Sequence, residues 1–422
     1  MKIACLSKQA LTLRFHLSKQ ALTLRFYINA SDTMKKAYWF VMPWDPRHPG
    51  GVANVVLNLY KHFARHDYSP SILVASWEDI SFRWVRQDGI DCCQVRLLYP
   101  IAQGWVGKLA YWLRLPGLLI RLTKVLRKEN VVCINPHYPN DSALSFVLLR
   151  KLGGYKGRIL LSFHGTDFDD IEKASGYGLM IWRLILSDVD AVITCSHALA
   201  ERVLAKFPEI EAKTHAALNG FDLDEFERDR DQTSNLPQEL TNHDFILNVA
   251  AYEHKKGHDI LLRAFKQLTV DFPMLKLALV GGGNSAYDKI MKLIVELGLV
   301  DKVTVIRELP HTKIAPYFEN ARVFALASRK EPFGLVLLEA GAFGLPVIAS
   351  RVGGIPEIIS SPDLGVLVEP EDQEALASAF RSVLNDPGRA KSMGANLRQH
   401  VLAHFSWATT VDTYLSLLGP KQ

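Results

Sequence analysis

Two runs of strand–helix alternation, separated by a polar break, constrain this chain more than any other feature. The first run starts at Ala37 with strand-length apolar stretches: AYWFVM (37–42), PSILVA (70–75), VVCIN (131–135), RILLSF (158–163), DAVITC (190–195) and THAAL (214–218). Helical patterns lie between them, among them VANVVLNLYKHFARH (52–66) and DSALSFVLLRKL (141–152). The second run holds FILNVAA (245–251), KLALVG (276–281), KVTVI (302–306), RVFALAS (322–328), PVIAS (346–350) and GVLVE (365–369), with helices such as 258–272 and 372–386. Strands that are apolar throughout, rather than at alternate positions, belong to parallel sheets covered by helices on both faces. The pattern predicts two doubly wound α/β domains, 35–222 and 245–405. A polar linker, 223–244, joins them, and a cleft opens between them at the carboxyl ends of the strands. The closing segment 406–422 reads as a helix over 406–418.

A length of 422 residues suits two domains. The most apolar stretch, around Leu115–Ile120, is interrupted by Pro116 and closed by Arg121. It falls short of the roughly 18 apolar residues that a membrane span needs. No secretory signal is read at the N-terminus. Residues 1–34 carry LSKQALTLRF at 6–15 and again at 17–26, which reads as a poorly ordered appendage. Five cysteines without C-x-x-C spacing point to reduced thiols and a cytoplasmic protein.

The net charge of +5 is unevenly spread. Bases outnumber acids before residue 223, and acids outnumber bases after it. A basic half suits an anionic partner, either nucleic acid or a membrane surface. The segment GWVGKLAYWLRLPGLLIRLTKVLRK (104–128) holds six Lys/Arg and no Asp/Glu, with Trp105, Tyr111 and Trp112 among leucines. That is the composition of an interfacial segment. Leu118, Leu119, Leu122 and Leu126 are expected to face the neighbouring sheet, leaving 104–116 for attachment to an anionic membrane surface.

The passage EPFGLVLLEAGAFGLPVIAS (331–350) concentrates the chemistry. A strand leads through Glu331-Pro332-Phe333-Gly334 into a helix, so the amides of Phe333, Gly334, Leu335 and Val336 are free donors at a helix N-terminus. Free amides and the positive end of the dipole make a phosphate cradle. Glu331 and Glu339 can both face the cleft from that helix.

This stretch resembles the signature of the retaining family-4 glycosyltransferases of the GT-B fold, with its two glutamates separated by seven residues. The resemblance extends over about 37–420. RHPGGVANVVLNL (47–59), HGTD (164–167), DAVITCSHAL (190–199), LNGFDLDEF (218–226), HKKGHDILLRAF (254–265), LVGGGN (279–284) and GGIPEII (353–359) follow in the family order. It implies a GT-B architecture of two Rossmann-like domains and a final helix that crosses back to the first. The donor would be a nucleotide-diphosphate sugar, the acceptor a glycan or lipid-linked hydroxyl. No metal and no nucleic acid are expected, and the enzyme would be cytoplasmic or peripheral on the inner face of the plasma membrane.

Site roles follow position by position. Glu331 would bond sugar hydroxyls near the anomeric centre, with the amides of Phe333, Gly334, Leu335 and Val336 holding sugar and diphosphate. Glu339 would accept the ribose hydroxyls, and Lys256 would neutralise the departing diphosphate. Gly50 and Gly51 would bring backbone amides to it from the first domain. His164 would reach the transferring sugar. Gly281, Gly282 and Gly283 would leave room for ribose and base, with base contacts near Arg307–Leu309. One departure stands out: Ala251 occupies the place where the family commonly has an Arg, and Arg329 or Lys330 is the expected substitute. A transferase with a soluble acceptor, or a nucleotide-sugar-binding protein with little turnover, remain open as alternatives.

Overall fold

The computed structural model describes residues 35–419, apart from 48–49, 77–81, 88, 102–103, 230, 232–234 and 284. The expected N-terminal appendage therefore lies outside the described residues. The strands of the first domain are β1 (Lys36–Met42), β2 (Tyr68–Ala75), β3 (Arg83–Gln87), β4 (Ile90–Val95), β5 (Val131–Pro136), β6 (Arg158–Phe163), β7 (Ala191–Thr194) and β8 (Thr214–Ala216). They form one sheet in the order β3-β4-β2-β1-β5-β6-β7-β8. Its pairs are parallel except β3–β4, a hairpin at the edge. The second domain places β9 (Phe245–Val249), β10 (Lys276–Gly281), β11 (Val303–Arg307), β12 (Val323–Leu326), β13 (Val347–Ser350) and β14 (Val366–Val368) in an all-parallel sheet of order β11-β10-β9-β12-β13-β14.

Central strands are covered on both faces, which is why their sequences run apolar without alternation. In β1, Ala37 to Met42 are all buried. In both sheets the strand order reverses beside the first strand of the domain, β1 or β9, so a crevice opens outside the carboxyl ends there. The two crevices face each other.

Three elements bear on the details of the sequence reading. The stretch 223–244, expected as a linker, carries a helix at Leu223–Asp229. Phe226 anchors it, packing on Phe221, His311 and Phe343 at ring distances of 5.7, 5.1 and 5.4 Å. The segment 104–128 is a single helix, Gly104–Lys128, that continues through Pro116. The chain's last helix covers Trp407–Ser416, with the Ser406 side chain accepting from the Thr409 amide as its cap. It packs on the first domain: Thr410 Oγ1 donates to the Leu218 carbonyl at 2.7 Å, and the Tyr414 hydroxyl lies 3.1 Å from Ser162 Oγ. Gly220 permits this return, since a Cβ there would lie 2.2 Å from the Trp407 nitrogen.

Candidate active site

β12 ends at Leu326, and residues 327–334 turn the chain into the helix Leu335–Ala342. Gly334 makes the turn at φ +101°, a region costly to residues with a Cβ. Gly334 offers no capping side chain, and while the Leu337 amide donates to the Gly334 carbonyl at 2.8 Å, the amides of Leu335 and Val336 keep their donors. The 14-residue helix Gly51–Ala64, preceded by Gly50, also lacks a side-chain cap. The two N-termini come from opposite domains and meet across the cleft, where a Cβ at Gly51 would lie 3.9 Å from Leu335 Cδ1. Each contributes about half a positive charge.

Beside them, Lys256 Nζ donates to Glu331 Oε2 at 2.6 Å, and Ser328 Oγ lies 3.5 Å from the same oxygen. Glu331 is buried and Lys256 nearly so. Lys256 sits on a short turn, His254–Lys256, closed by Gly257 at φ +65°. A Cβ at Gly257 would lie 1.8 Å from the Ala327 carbonyl oxygen, so only glycine lets this turn press against the strand end that carries Glu331. Glu339 is buried in the same helix, and its Oε1 lies 3.1 Å from His311 Nε2.

His164 follows β6. Its amide and that of Gly165 donate to the Asp167 carboxylate at 3.0 and 2.7 Å. The loop abuts the second domain, where a Cβ at Gly165 would lie 2.1 Å from Pro332 Cγ. The His164 ring stacks on His137, with Nε2 3.0 Å from His137 Nδ1, while His137 Nε2 lies 2.8 Å from Asn135 Oδ1. An amide oxygen only accepts, so His137 carries its proton on Nε2 and accepts at Nδ1 from His164 Nε2–H. Burial pushes the His164 pKa down to about 4 and that of His137 well below its usual value, so both rings are neutral at pH 7. Burial also pushes the Asp167 carboxyl up to about 7, against the pull of its backbone donors. The Nε2 of His164 is thus engaged by His137, while the residue itself stays partly exposed.

At the end of β10, a Cβ at Gly281 would strike the Ala250 carbonyl oxygen at 2.0 Å, whereas Gly282 and Gly283 have open space beside them. A cavity of about 290 Å³ lies along Gly165, Thr166, Arg202, Glu331, Pro332 and Gly353, next to the Lys256–Glu331 pair. A smaller recess of about 90 Å³, bounded by Asn54, Asn58, Lys61, His311, Leu335 and Glu339, flanks the other side of the helix. Arg329 does not stand in for the cation missing at Ala251. Its guanidinium is held by Asp259 at 2.8 Å, Glu371 at 2.6 Å and the His254 carbonyl at 2.9 Å. Lys330 is largely exposed and lies 3.9 Å from Asp169.

Sequence reading gave no role to His137 or His311, and took Asp167 only as part of the HGTD motif. His137 was findable: it stands in NPHYP, immediately after a strand of a parallel sheet, at the end where ligands bind. Glu357 was also missed. Its carboxylate accepts from the amides of His197 and Ala198, both at 2.9 Å, and ties the second domain to a helix N-terminus of the first.

Two doubly wound α/β domains whose helix N-termini and strand ends meet at one cleft define a two-domain architecture with a site between the domains. Comparison with known proteins makes the class specific. The model of the glycosyl transferases group 1 matches residues 229–400, and that of glycosyltransferase family 4 matches residues 49–225. The GDP-mannose-dependent alpha-(1-6)-phosphatidylinositol monomannoside mannosyltransferase of Mycolicibacterium smegmatis is 31% identical over 321 residues, 73% of this chain and 81% of that protein. D-inositol 3-phosphate glycosyltransferase 1 of Catenulispora acidiphila is 32% identical over 246 residues, 55% of this chain, and the match spans 58% of that relative's length. The sucrose-phosphate synthase of Thermosynechococcus elongatus superposes with a TM-score of 0.70 at 26% identity, over 90% of this chain and 98% of its own. The chain belongs to glycosyltransferase family 4, and its fold is GT-B. It is a glycosyltransferase.

Proposed function

We propose that this protein moves a sugar from a nucleotide-diphosphate sugar to a hydroxyl of a glycan or lipid-linked acceptor, with retention at the anomeric carbon and without a divalent metal. One observation carries the reading: Lys256 and two uncapped helix N-termini converge beside the buried Glu331. Negative charge builds on the leaving diphosphate as the glycosidic bond to it breaks. Fixed amide donors and an ammonium group aimed at that position stabilise the transition state without reorganising. On donor binding, Lys256 turns its charge to the diphosphate, and the Glu331 carboxylate accepts from sugar hydroxyls. Glu339 accepts from the ribose hydroxyls, displacing His311.

The acceptor enters the cavity along Thr166 and Pro332. Its oxygen attacks the anomeric carbon on the face that the phosphate leaves, and its proton passes to the departing phosphate oxygen. No protein base is required. The names of the relatives support this reading, one being GDP-mannose-dependent and acting on a phosphatidylinositol mannoside.

The test is a screen of UDP, GDP and ADP sugars with candidate acceptors, following release of the nucleoside diphosphate and the anomeric proton signal of the product. One donor should give turnover with the anomeric configuration kept, and Lys256→Ala should abolish it. An inverted product would overturn retention. Donor binding without turnover across the acceptor panel would overturn transfer and leave a binding protein.

A further inference from the structure

Among the described residues no helix is long and apolar enough to cross a membrane. The helix Gly104–Lys128 nevertheless presents an unusual outer face. Tyr111, Leu115, Leu118, Leu119, Leu122 and Leu126 are buried against the first domain. At about 100° per residue these six fall in one stripe. A second stripe, centred about 130° away with Trp112 at its near edge, consists of Trp105, Val106, Leu109, Trp112, Leu113 and Ile120. All six are exposed, Trp105 by 75% and Leu113 by 73%. An apolar stripe this long, with no other described element packed on it, is a surface that expects a partner.

Charge identifies the partner. Beyond Ile120, the azimuth occupied by the apolar stripe passes to Lys124 and Arg127, and Arg114, Arg121 and Lys128 lie along its border. No acid occurs anywhere in the helix. Of its six cations Lys108 is turned over the Tyr177 ring at 4.4 Å and Arg121 has its Nε buried, while Lys124, Arg127 and Lys128 are exposed, Lys128 with Glu129 3.4 Å away at the helix end. Aromatic and leucine side chains bordered by Lys and Arg match the boundary of an anionic bilayer, where rings sit at headgroup depth and cations meet lipid phosphates. We propose that this helix docks the first domain on the surface of an anionic lipid bilayer, lying in the interface without crossing it. The surface connects, through Tyr177, to the elements that line the cavity beside Glu331. Tyr177, under Lys108, belongs to the helix Gly176–Asp188, which follows the helix Thr166–Glu172 that borders the cavity beside Glu331. Docking goes beyond the transfer reading and stands or falls independently of it.

The experiment is co-sedimentation of the full chain with vesicles of phosphatidylcholine alone or mixed with phosphatidylglycerol, at low salt and at 1 M salt. The protein should sediment with the anionic vesicles at low salt. Binding should drop at 1 M salt, where the Debye length is about 3 Å, and neutral vesicles should retain little. Replacing Lys124, Arg127 and Lys128 by Gln should lower the partition coefficient roughly a hundredfold, about fivefold per cation. Trp105→Ser with Trp112→Ser should lower it as well. These positions are exposed, so an unchanged melting temperature certifies the fold. No sedimentation with anionic vesicles, or equal sedimentation of both variants and wild type, would overturn the proposal. So would a dimer in sedimentation velocity that Trp105→Ser with Trp112→Ser dissolves, because a second copy would then cover the face.

Discussion

Replacing Gly353 by Ala should cripple transfer through a contact with no side chain of its own. Gly353 sits at φ +51°, and a Cβ built on it would lie 1.9 Å from the carbonyl oxygen of Glu331. An ordinary carbon–oxygen contact is about 3.3 Å, so the two loops must part by roughly 1.4 Å. Left-handed backbone adds about 1–2 kcal/mol for alanine. Parting the loops also strains the bond from the Gly354 amide to the Glu331 carbonyl, now 3.2 Å and worth about 0.5–1.5 kcal/mol. Stability should fall by a few kcal/mol, lowering Tm by several degrees. The larger effect is on geometry, because the displaced backbone carries Glu331 away from Lys256. A misplacement of about 1 Å costs on the order of a hundredfold in rate. The assay is nucleoside diphosphate release with saturating acceptor, beside Gly388→Ala as a control. Gly388 lies in the first turn of the helix Pro387–His404 with its nearest neighbour 3.5 Å away, so alanine there should add about 0.5–1 kcal/mol of stability and leave the rate alone. Wild-type turnover in Gly353→Ala would refute the reasoning that this loop contact positions Glu331.

Glu339→Ala should weaken donor binding about ten- to a hundredfold, the worth of one charge-assisted bond of roughly 1.5–3 kcal/mol, measured by calorimetry. Asp167→Ala leaves the buried Gly165 amide and the part-buried His164 amide without their acceptor and should cost about 1–3 kcal/mol for the first and less for the second, read from urea denaturation. The pKa values of His137 and His164 are lowered in the folded state by burial, so their contribution to stability is present above about pH 6.5 and lost as pH falls toward the folded values, about 4 for His164. The acid limb of the stability curve should therefore be shallower in His137→Asn; an unchanged limb would contradict the buried neutral pair.

Both sheets were legible in the sequence because parallel strands buried on two faces carry an unbroken apolar signal, as in 37–42 and 276–281. The helix at Leu335 was legible because Gly334 and the two glutamates sit at a strand-to-helix turn. The pairing of His137 with His164 was not. It depends on β5 and β6 lying side by side, which places two strand ends separated by 27 residues at one edge. Nor was the commitment of Arg329 to Asp259 and Glu371, since the partner carboxylates lie 70 and 42 residues away. Pro116 interrupts the apolar run in the sequence, and an internal proline costs a helix about 3 kcal/mol. Burial of Leu115, Leu118, Leu119 and Leu122 along one stripe offsets that cost and keeps the helix continuous.

The most direct measurement is calorimetric titration of UDP, GDP and ADP into the wild-type protein and into Lys256→Ala. The convergence of Lys256 with two helix N-termini predicts that one of these diphosphates binds at one site per chain, and that the variant loses that binding. If none binds, or if the diphosphate binds Lys256→Ala as tightly as wild type, the cleft beside Glu331 is not the donor site.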